Sequence, residues 1–302
     1  MTRIFAAADI GSNTAHLLVA ETDGSLVMRI DNYNEWIPLG ETVAKEGIVP
    51  KEQIVQIAAA IKEFKRVCKD TQVLSLYVFA TEGLRMARNH EQVIKRVANE
   101  TGIKVEIISA RKEAELSLAG VLLDTRNIRP ELLFEVGGGS AQIGVVEKRA
   151  FSHEESLPLG TGRIIAESGI KFPCSDLALR AAETYIDDTL KRSTIEGSYK
   201  VAVVSGGVAR GLWRALHPDA EKELARAEIE YMAWAACRLS VDRIMTRFGV
   251  KSKRAGTLLP GALIYRALME RFGLDRVVVS EFGIREGAIL KLASGEITGC
   301  PV

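Results

Sequence analysis

The sequence predicts an α/β protein made of two related domains. Residues 9–21 (DIGSNTAHLLVAE) and 135–147 (EVGGGSAQIGVVE) share one pattern: acid, aliphatic, glycine, small residues, alternating apolar residues, closing glutamate. Each copy follows a short apolar run, residues 4–8 and 132–134, so each reads as strand, glycine turn, strand. Strand-like and helix-like stretches then alternate through both halves, and 302 residues leave room for two cores of ordinary size. A repeated unit of this kind predicts two domains facing each other, each offering a glycine turn and a carboxylate to one cleft.

The first half reads βββαβαβα. Residues 3–9, 15–21 and 25–31 are predicted strands, with Asp23 and Gly24 a hairpin signal. Residues 36–47 read as irregular. Pro50 opens an amphipathic helix to Asp70, with Ile54, Ile57, Ala58, Ile61 and Phe64 on one face. A strand at 73–80 follows, then Thr81 as the cap of a short helix to Arg85, a helix over 90–101 and a strand at 104–108. Ser109 caps a helix from 111 to 123. The polar, turn-like residues 124–130 mark the domain boundary. In the second half, strands are expected at 131–136, 142–147, 149–156, 199–204 and 276–279. Helices are expected after Gly160–Gly162, from Ser175 to Lys191, after Gly206 and Gly207, over 224–248 in one or two pieces, from Pro260 to Phe272, and over 284–293.

Three glycines in a row let backbone approach a ligand and collect N–H groups in one concavity, which suits phosphate. A carboxylate at the rim would repel that phosphate unless a cation sits between them. A tight hairpin without a ligand explains a single copy equally well; the second copy favours the phosphate reading. Composition excludes other classes. A formal net charge of +1 gives no bulk affinity for nucleic acid or membrane. Cys68, Cys174, Cys237 and Cys300 lack zinc or disulfide-framework spacing and fit a reducing cytoplasm. No apolar run has the length of a signal peptide or a membrane span.

Five stretches carry a more specific signal. They are residues 8–14 (ADIGSNT), 80–89 (ATEGLRMARN), 108–121 (ISARKEAELSLAGV), 135–143 (EVGGGSAQI) followed by 156–160 (SLPLG), and 280–287 (SEFGIREG). In order and spacing over nearly the whole chain they resemble the Ppx/GppA family of exopolyphosphatases and guanosine pentaphosphate phosphohydrolases, in the actin/hexokinase/Hsp70-like superfamily. The resemblance implies two duplicated ribonuclease-H-like lobes of the actin-like ATPase fold with an interdomain cleft. Residues 1–124, completed by the closing helix within 284–302, would form the first lobe and 125–283 the second, as in the short form of the family. It also implies removal of terminal phosphate from polyphosphate or pppGpp, assisted by Mg²⁺; carboxylate and carbonyl oxygens would suit Mn²⁺ as well. No nucleic acid or membrane partner is implied, and a homodimer is left open.

The family's general base falls on Glu113. On a helix N-terminal turn a carboxylate can orient and deprotonate water for in-line attack on phosphorus; by itself it would also be an ordinary N-terminal acid. The resemblance makes Asp9, Glu135 and Gln142 the metal site. It makes Gly11, Ser12, Asn13, Thr14, Gly137, Gly138, Gly139 and Ser140 the phosphate cradle. Arg85 is either a phosphate anchor or half of a structural pair. Gly206 and Gly207 resemble a third glycine turn near the distal part of the substrate, and serve equally as a strand-to-helix turn.

The chain departs from the family at the metal site. Glu135 replaces an aspartate, moving its oxygens outward by about one C–C bond, roughly 1.5 Å. Gln142 replaces a glutamate and loses a charge. Mg²⁺ demands near-ideal geometry at ~2.0–2.1 Å, so weaker Mg²⁺ binding is expected. Lys112 stands where the family has the first glutamate of its pair and is expected to face solvent. Glu82 replaces a serine and adds an acid. A degenerate member that senses nucleotide or polyphosphate with little hydrolysis is the competing expectation; a sugar kinase is disfavoured because no sugar pocket or adenosine segment is evident.

Overall fold

The computed structural model describes residues 2–125, 128–217 and 221–302. Residues 126 and 127 of the predicted boundary lie outside the described residues. In chain order the elements are β1 (Arg3–Ile10), β2 (Thr14–Thr22), β3 (Val27–Trp36), α1 (Leu39–Glu46), α2 (Lys51–Asp70), β4 (Ser75–Ala80), α3 (Glu82–Arg85), α4 (His90–Thr101), β5 (Val105–Ile107) and α5 (Ala110–Asp124). There follow β6 (Leu132–Val136), β7 (Ala141–Glu147), β8 (Ala150–Leu157), α6 (Thr161–Ser168), α7 (Asp176–Leu190), β9 (Ala202–Ser205) and α8 (Gly206–Leu216). The last are β10 (Glu223–Ala225), α9 (Arg226–Arg238), α10 (Val241–Phe248), α11 (Ser252–Arg271), β11 (Arg276–Val279) and α12 (Ile284–Ala293).

Backbone contacts divide the chain into two units, Met1–Leu123 with Phe282–Val302, and Asp124–Glu281. The first holds a five-stranded sheet in the order β3-β2-β1-β4-β5. Strands β1, β2 and β3 are antiparallel neighbours, while β4 and β5 join in parallel. β1 is apolar on both faces because helices cover both. Ala6, Ala8 and Ile10 pack with Ile57, Ile61 and Phe64 of α2 and with Val93 and Val97 of α4. Phe5 and Ala7 face the other way, onto Leu116 of α5 and Ala288 and Ile289 of α12. Strand parity therefore puts Asp9 on the α5/α12 face.

α5 and α12 meet backbone to backbone. A Cβ on Gly120 would fall 2.0 Å from the Gly283 carbonyl oxygen, and one on Gly287 would fall 1.8 Å from that of Leu116. Only glycine allows this approach, so these motif glycines set how close the helix bearing Glu113 lies to the helix bearing Arg285.

The second unit's six-stranded sheet has the order β10-β11-β9-β6-β7-β8. Read from β8, its first four strands pair as β3-β2-β1-β4 do, antiparallel then parallel. Leu132, Phe134 and Val136 of β6 enter one core with α7, α8, α9 and α11, and Leu133 and Glu135 take the opposite parity. The predicted duplication of α/β lobes is thus present in both topology and register.

Several expectations fail locally. Residues 39–46 form α1, where an irregular segment was expected. Leu39 and Val43 are buried four residues apart, Lys45 reaches Glu41 at 2.7 Å, and Gly47 ends the helix in the left-handed region. β3 runs to Trp36, five residues beyond the predicted end. Thr81 holds the cap position of α3 without a side-chain cap bond. The helix expected to open at Pro260 begins at Ser252, with Pro260 inside it; the residues before the proline are helical despite its bias against that conformation. β10 is a short edge strand inside the stretch read as helix. The caps predicted at Ser109 and Ser175 are present, accepting from Lys112 N–H at 3.2 Å and Ala178 N–H at 3.3 Å.

Candidate active site

The first unit's site grows from the end of β1. Asp9 pairs across the hairpin with His16, and Ile10 with Ala15. Gly11 N–H donates to Thr14 carbonyl oxygen at 2.9 Å and closes the turn. Its carbonyls are also engaged: Ser12 accepts from Gly40 N–H at 2.7 Å and Asn13 from Ile37 N–H at 3.0 Å. The N–H groups of Ser12 and Asn13 make no hydrogen bond within the chain among the described residues. Ser12 is fixed by two glycines. A Cβ on Gly40 would meet Ser12 Cβ at 2.8 Å, and one on Gly83 would meet Ser12 Cα at 2.9 Å. The Ser12 hydroxyl donates to Glu82 Oε2 at 3.4 Å, so the added acid lies beside this turn.

Glu113 lies in the first turn of α5, whose start is set by the Ser109 cap. Arg85 holds its Oε2 with Nη1 at 3.2 Å and Nη2 at 3.3 Å, and donates to Ile108 carbonyl oxygen at 2.7 Å. In this structure Arg85 is therefore paired with Glu113. Asp9 faces a second arginine: Arg285 Nη1 lies 3.5 Å from Asp9 Oδ2, and both side chains are largely buried. The Arg285 Nε is buried with no hydrogen-bond partner among the described residues. Arg285 stands inside the 280–287 motif, and the sequence alone points to no role for it. Its partner is 276 positions away, beyond any spacing argument. Lys112 was expected to face solvent. Instead its Nζ binds Glu106 at 2.7 Å and lies over the Tyr77 ring, because a half-buried lysine stem packs on apolar surface while its head finds a carboxylate.

The second unit repeats the turn. Glu135 pairs with Gln142 and Val136 with Ala141. Gly137 N–H donates to Ser140 carbonyl oxygen at 2.8 Å. The turn's carbonyls are drawn toward α6: Gly137 accepts from Thr161 N–H at 3.1 Å, and Gly138 from Gly162 at 2.8 Å and Arg163 at 3.2 Å. Arg163 Nε also donates to Gly139 carbonyl oxygen at 3.1 Å. A Cβ on Gly160 would sit 2.3 Å from Gly138 and Gly139 backbone atoms, so Gly160 lets the turn rest on α6. With carbonyls held on one side, the N–H groups of Gly138, Gly139 and Ser140 have no partner within the chain among the described residues. Unpartnered N–H groups gathered in one turn are the kind of backbone arrangement that can take an anion.

Glu135 accepts from Ser205 Oγ at 2.9 Å. Gly206, at φ +87°, opens α8 against it, and a Cβ there would meet Glu135 Cγ at 3.1 Å. The buried Tyr265 phenol is pushed up by its burial and then by the Glu135 charge. Gln142 is buried, its Nε2 3.5 Å from both the Ser140 and Ser156 hydroxyls.

These donors do not fit the Mg²⁺ that the sequence resemblance implies. Asp9 is engaged by a guanidinium, Glu135 by a hydroxyl, and Gln142 brings a neutral amide. Among the described residues no group of three His, Cys, Asp or Glu side chains could hold a metal ion.

The model of the Ppx/GppA phosphatase family matches residues 18–296. The chain belongs to that family. Exopolyphosphatase 1 of Mycobacterium tuberculosis is 27% identical over 307 residues, covering 96% of this chain and 88% of that protein. Among solved structures, the Aquifex aeolicus Ppx/GppA family member superposes with a TM-score of 0.82 at 24% identity, covering 98% of this chain and 99% of the other. An exopolyphosphatase from Cytophaga hutchinsonii gives 0.87 at 19% identity, covering 99% and 100%. At those identities the structures establish the shared fold of two actin-like, ribonuclease-H-like lobes. Among the described residues of this Ppx/GppA chain, no helix is long and apolar enough to cross a membrane.

Proposed function

We propose that this protein is a phosphohydrolase that releases orthophosphate from the end of inorganic polyphosphate. Family membership and the likeness to an exopolyphosphatase support the reaction class. The observation that carries the reading is the repeated turn, closed by the same hydrogen bond in both units and leaving two or three backbone N–H groups unused beside a carboxylate. In the proposed reaction, phosphate oxygens take these N–H groups as donors, which stabilise charge without reorganising. A water oxygen bonds to the terminal phosphorus, the anhydride P–O bond breaks, and a chain one phosphate shorter leaves. Glu113 takes the water's proton. Arg85 positions Glu113 instead of anchoring phosphate, and the buried Arg285 balances Asp9.

The 5′-terminal anhydride of pppGpp offers the same bond and stands as the second substrate. The engaged state of Asp9 and the neutral Gln142 favour a weak dependence on Mg²⁺; they also favour the sensor reading, in which binding persists without turnover. The four cysteines are free, in keeping with the proposed cytoplasmic setting. Phosphate release from polyphosphate, pppGpp and GTP, each with and without Mg²⁺, tests the proposal. Release from polyphosphate is expected. Tight binding of polyphosphate with no release under any of these conditions would replace the hydrolase by the sensor.

A further inference from the structure

The segment from Arg238 to Arg254 is the most charge-biased stretch of the second unit. It holds Arg238, Arg243, Arg247, Lys251, Lys253 and Arg254 against one acid, Asp242. Those 17 residues are thus five charges positive in a chain whose formal net charge is +1, and the remainder sums to four charges negative. Arg238, Arg243, Arg247 and Lys251 are exposed, and none has a carboxylate partner among the described residues. On α10, Arg243 and Arg247 stand four residues apart on one face, a like-charge spacing that disfavours the helix unless an anion lies over it. They line a groove of about 370 Å³ with Leu239, Asp242 and Thr246.

Two rings hold arginines in place. Arg247 lies over Tyr231 at 5.6 Å and donates to its hydroxyl through Nε at 3.0 Å. Arg238 lies over Trp234 at 4.9 Å. Both rings stay exposed.

The far end of the run reaches a predicted phosphate-binding turn. Arg254 Nη1 donates to Gly207 carbonyl oxygen at 2.9 Å. Its Cδ passes 2.8 Å from where a Cβ on Gly211 would be, so that glycine gives the side chain room against α8. Burial, and then the charge of Arg214, lower the Arg254 pKa. A half-hidden cation beside another cation, at the start of a helix, is a place for an anion.

We infer that Arg243, Arg247 and Lys251, continued by Arg254, form a docking track for the body of a polyphosphate chain, outside the turns proposed to hold the reacting end. The inference rests on the polyphosphate reading above. A linear polyanion matches a linear run of exposed cations, and the run's continuity with Gly207 links it to that substrate. Single-stranded nucleic acid, another linear polyanion, which could also stack bases on the exposed Tyr231 and Trp234, is the alternative occupant.

The test is binding of fluorescently labelled long-chain polyphosphate to the full chain and to an Arg243→Gln, Arg247→Gln, Lys251→Gln variant, with tripolyphosphate as the short probe. Loss of three cations should weaken long-chain binding on the order of 10-fold and flatten its log–log salt dependence by roughly 2. Tripolyphosphate binding, and turnover at saturation, should be unchanged. An Arg243→Gln, Lys251→Gln variant, which keeps Arg247 on Tyr231, should show a smaller loss in the same direction and guards against misfolding. Equal loss for short and long probes, or none, overturns the track. So does a single-stranded oligonucleotide that binds this surface more tightly than polyphosphate does. Failure of the unsubstituted chain to bind any polyphosphate would instead overturn the proposed function, and the track with it.

Discussion

After β1 the chain turns with Gly11 N–H on Thr14 carbonyl oxygen at 2.9 Å; after β6 it turns with Gly137 N–H on Ser140 carbonyl oxygen at 2.8 Å. The two turns carry their acids two residues before the closing glycine, on the same parity of the strand. Their supports differ. Backbone N–H groups hold carbonyls of both turns, but the first also has its acid and its serine held by side chains: Asp9 meets Arg285, and Ser12, packed against Gly40 and Gly83, donates to Glu82. The second is braced largely by backbone, its carbonyls taken by the first N–H groups of α6 with Gly160 packed underneath. One fold motif can therefore keep the N–H groups of its turn free with different supports. Charge changes should disturb the first turn most, while added volume should disturb either turn at the glycine packed against it, Gly40 or Gly83 for the first and Gly160 for the second.

The largest expected effect lies in the first unit. Glu113→Gln should lower turnover by ~10²–10⁴-fold while polyphosphate binding persists, the range for a general base. Steady-state phosphate release beside a binding isotherm separates the two quantities. Wild-type turnover in the variant would remove Glu113 from the reaction.

Volume sharpens the contrast next. Gly160→Ala puts a methyl 2.3 Å from Gly138 and Gly139 backbone, where nothing flexible can yield, and should cost about 3 kcal/mol, the upper part of the overpacking range. Gly11→Ala meets only ordinary contacts, Thr14 oxygen at 3.5 Å and Asp9 Oδ1 at 3.6 Å, and should cost well under about 1 kcal/mol. Urea unfolding measures both, and similar costs would mean that the close approach of Gly160 does not hold the second turn.

The smallest effect concerns the acids. Glu135→Asp with Gln142→Glu restores two acidic side chains across one strand pair and should raise Mg²⁺-dependent release. Each single change should do less, because the residues are directly paired and their effects couple. An inert double variant that still binds polyphosphate would favour the sensor reading.

Much of this comparison was legible in the sequence. The repeat of acid, glycine turn and alternating apolar residues fixes strand parity, and parity alone puts Asp9 and Glu135 at matching places. The supports were not legible, because they depend on distant residues. Arg285 reaches Asp9 across 276 positions and Gly160 sits under a turn more than twenty residues earlier. α1 escaped notice because its apolar face is two residues, Leu39 and Val43, between a proline and a glycine. Pro260 misled in the opposite direction: a strong local breaker lies inside a buried helix whose packing outweighs the lost bond. Residue type alone sends Lys112 to solvent, but Glu106 and Tyr77 decide its place.

The claim that both turns are phosphate cradles can be read at the N–H groups themselves. Amide chemical shifts of a deuterated, ¹⁵N-labelled sample, followed while a non-hydrolysable imidophosphate chain is added, report on each donor separately. The account predicts saturable downfield proton shifts at Ser12 and Asn13 and at Gly138, Gly139 and Ser140, with Gly11 and Gly137 moving little because their N–H groups already close the turns. Shifts confined to one turn, or absent from both at saturation, would contradict it.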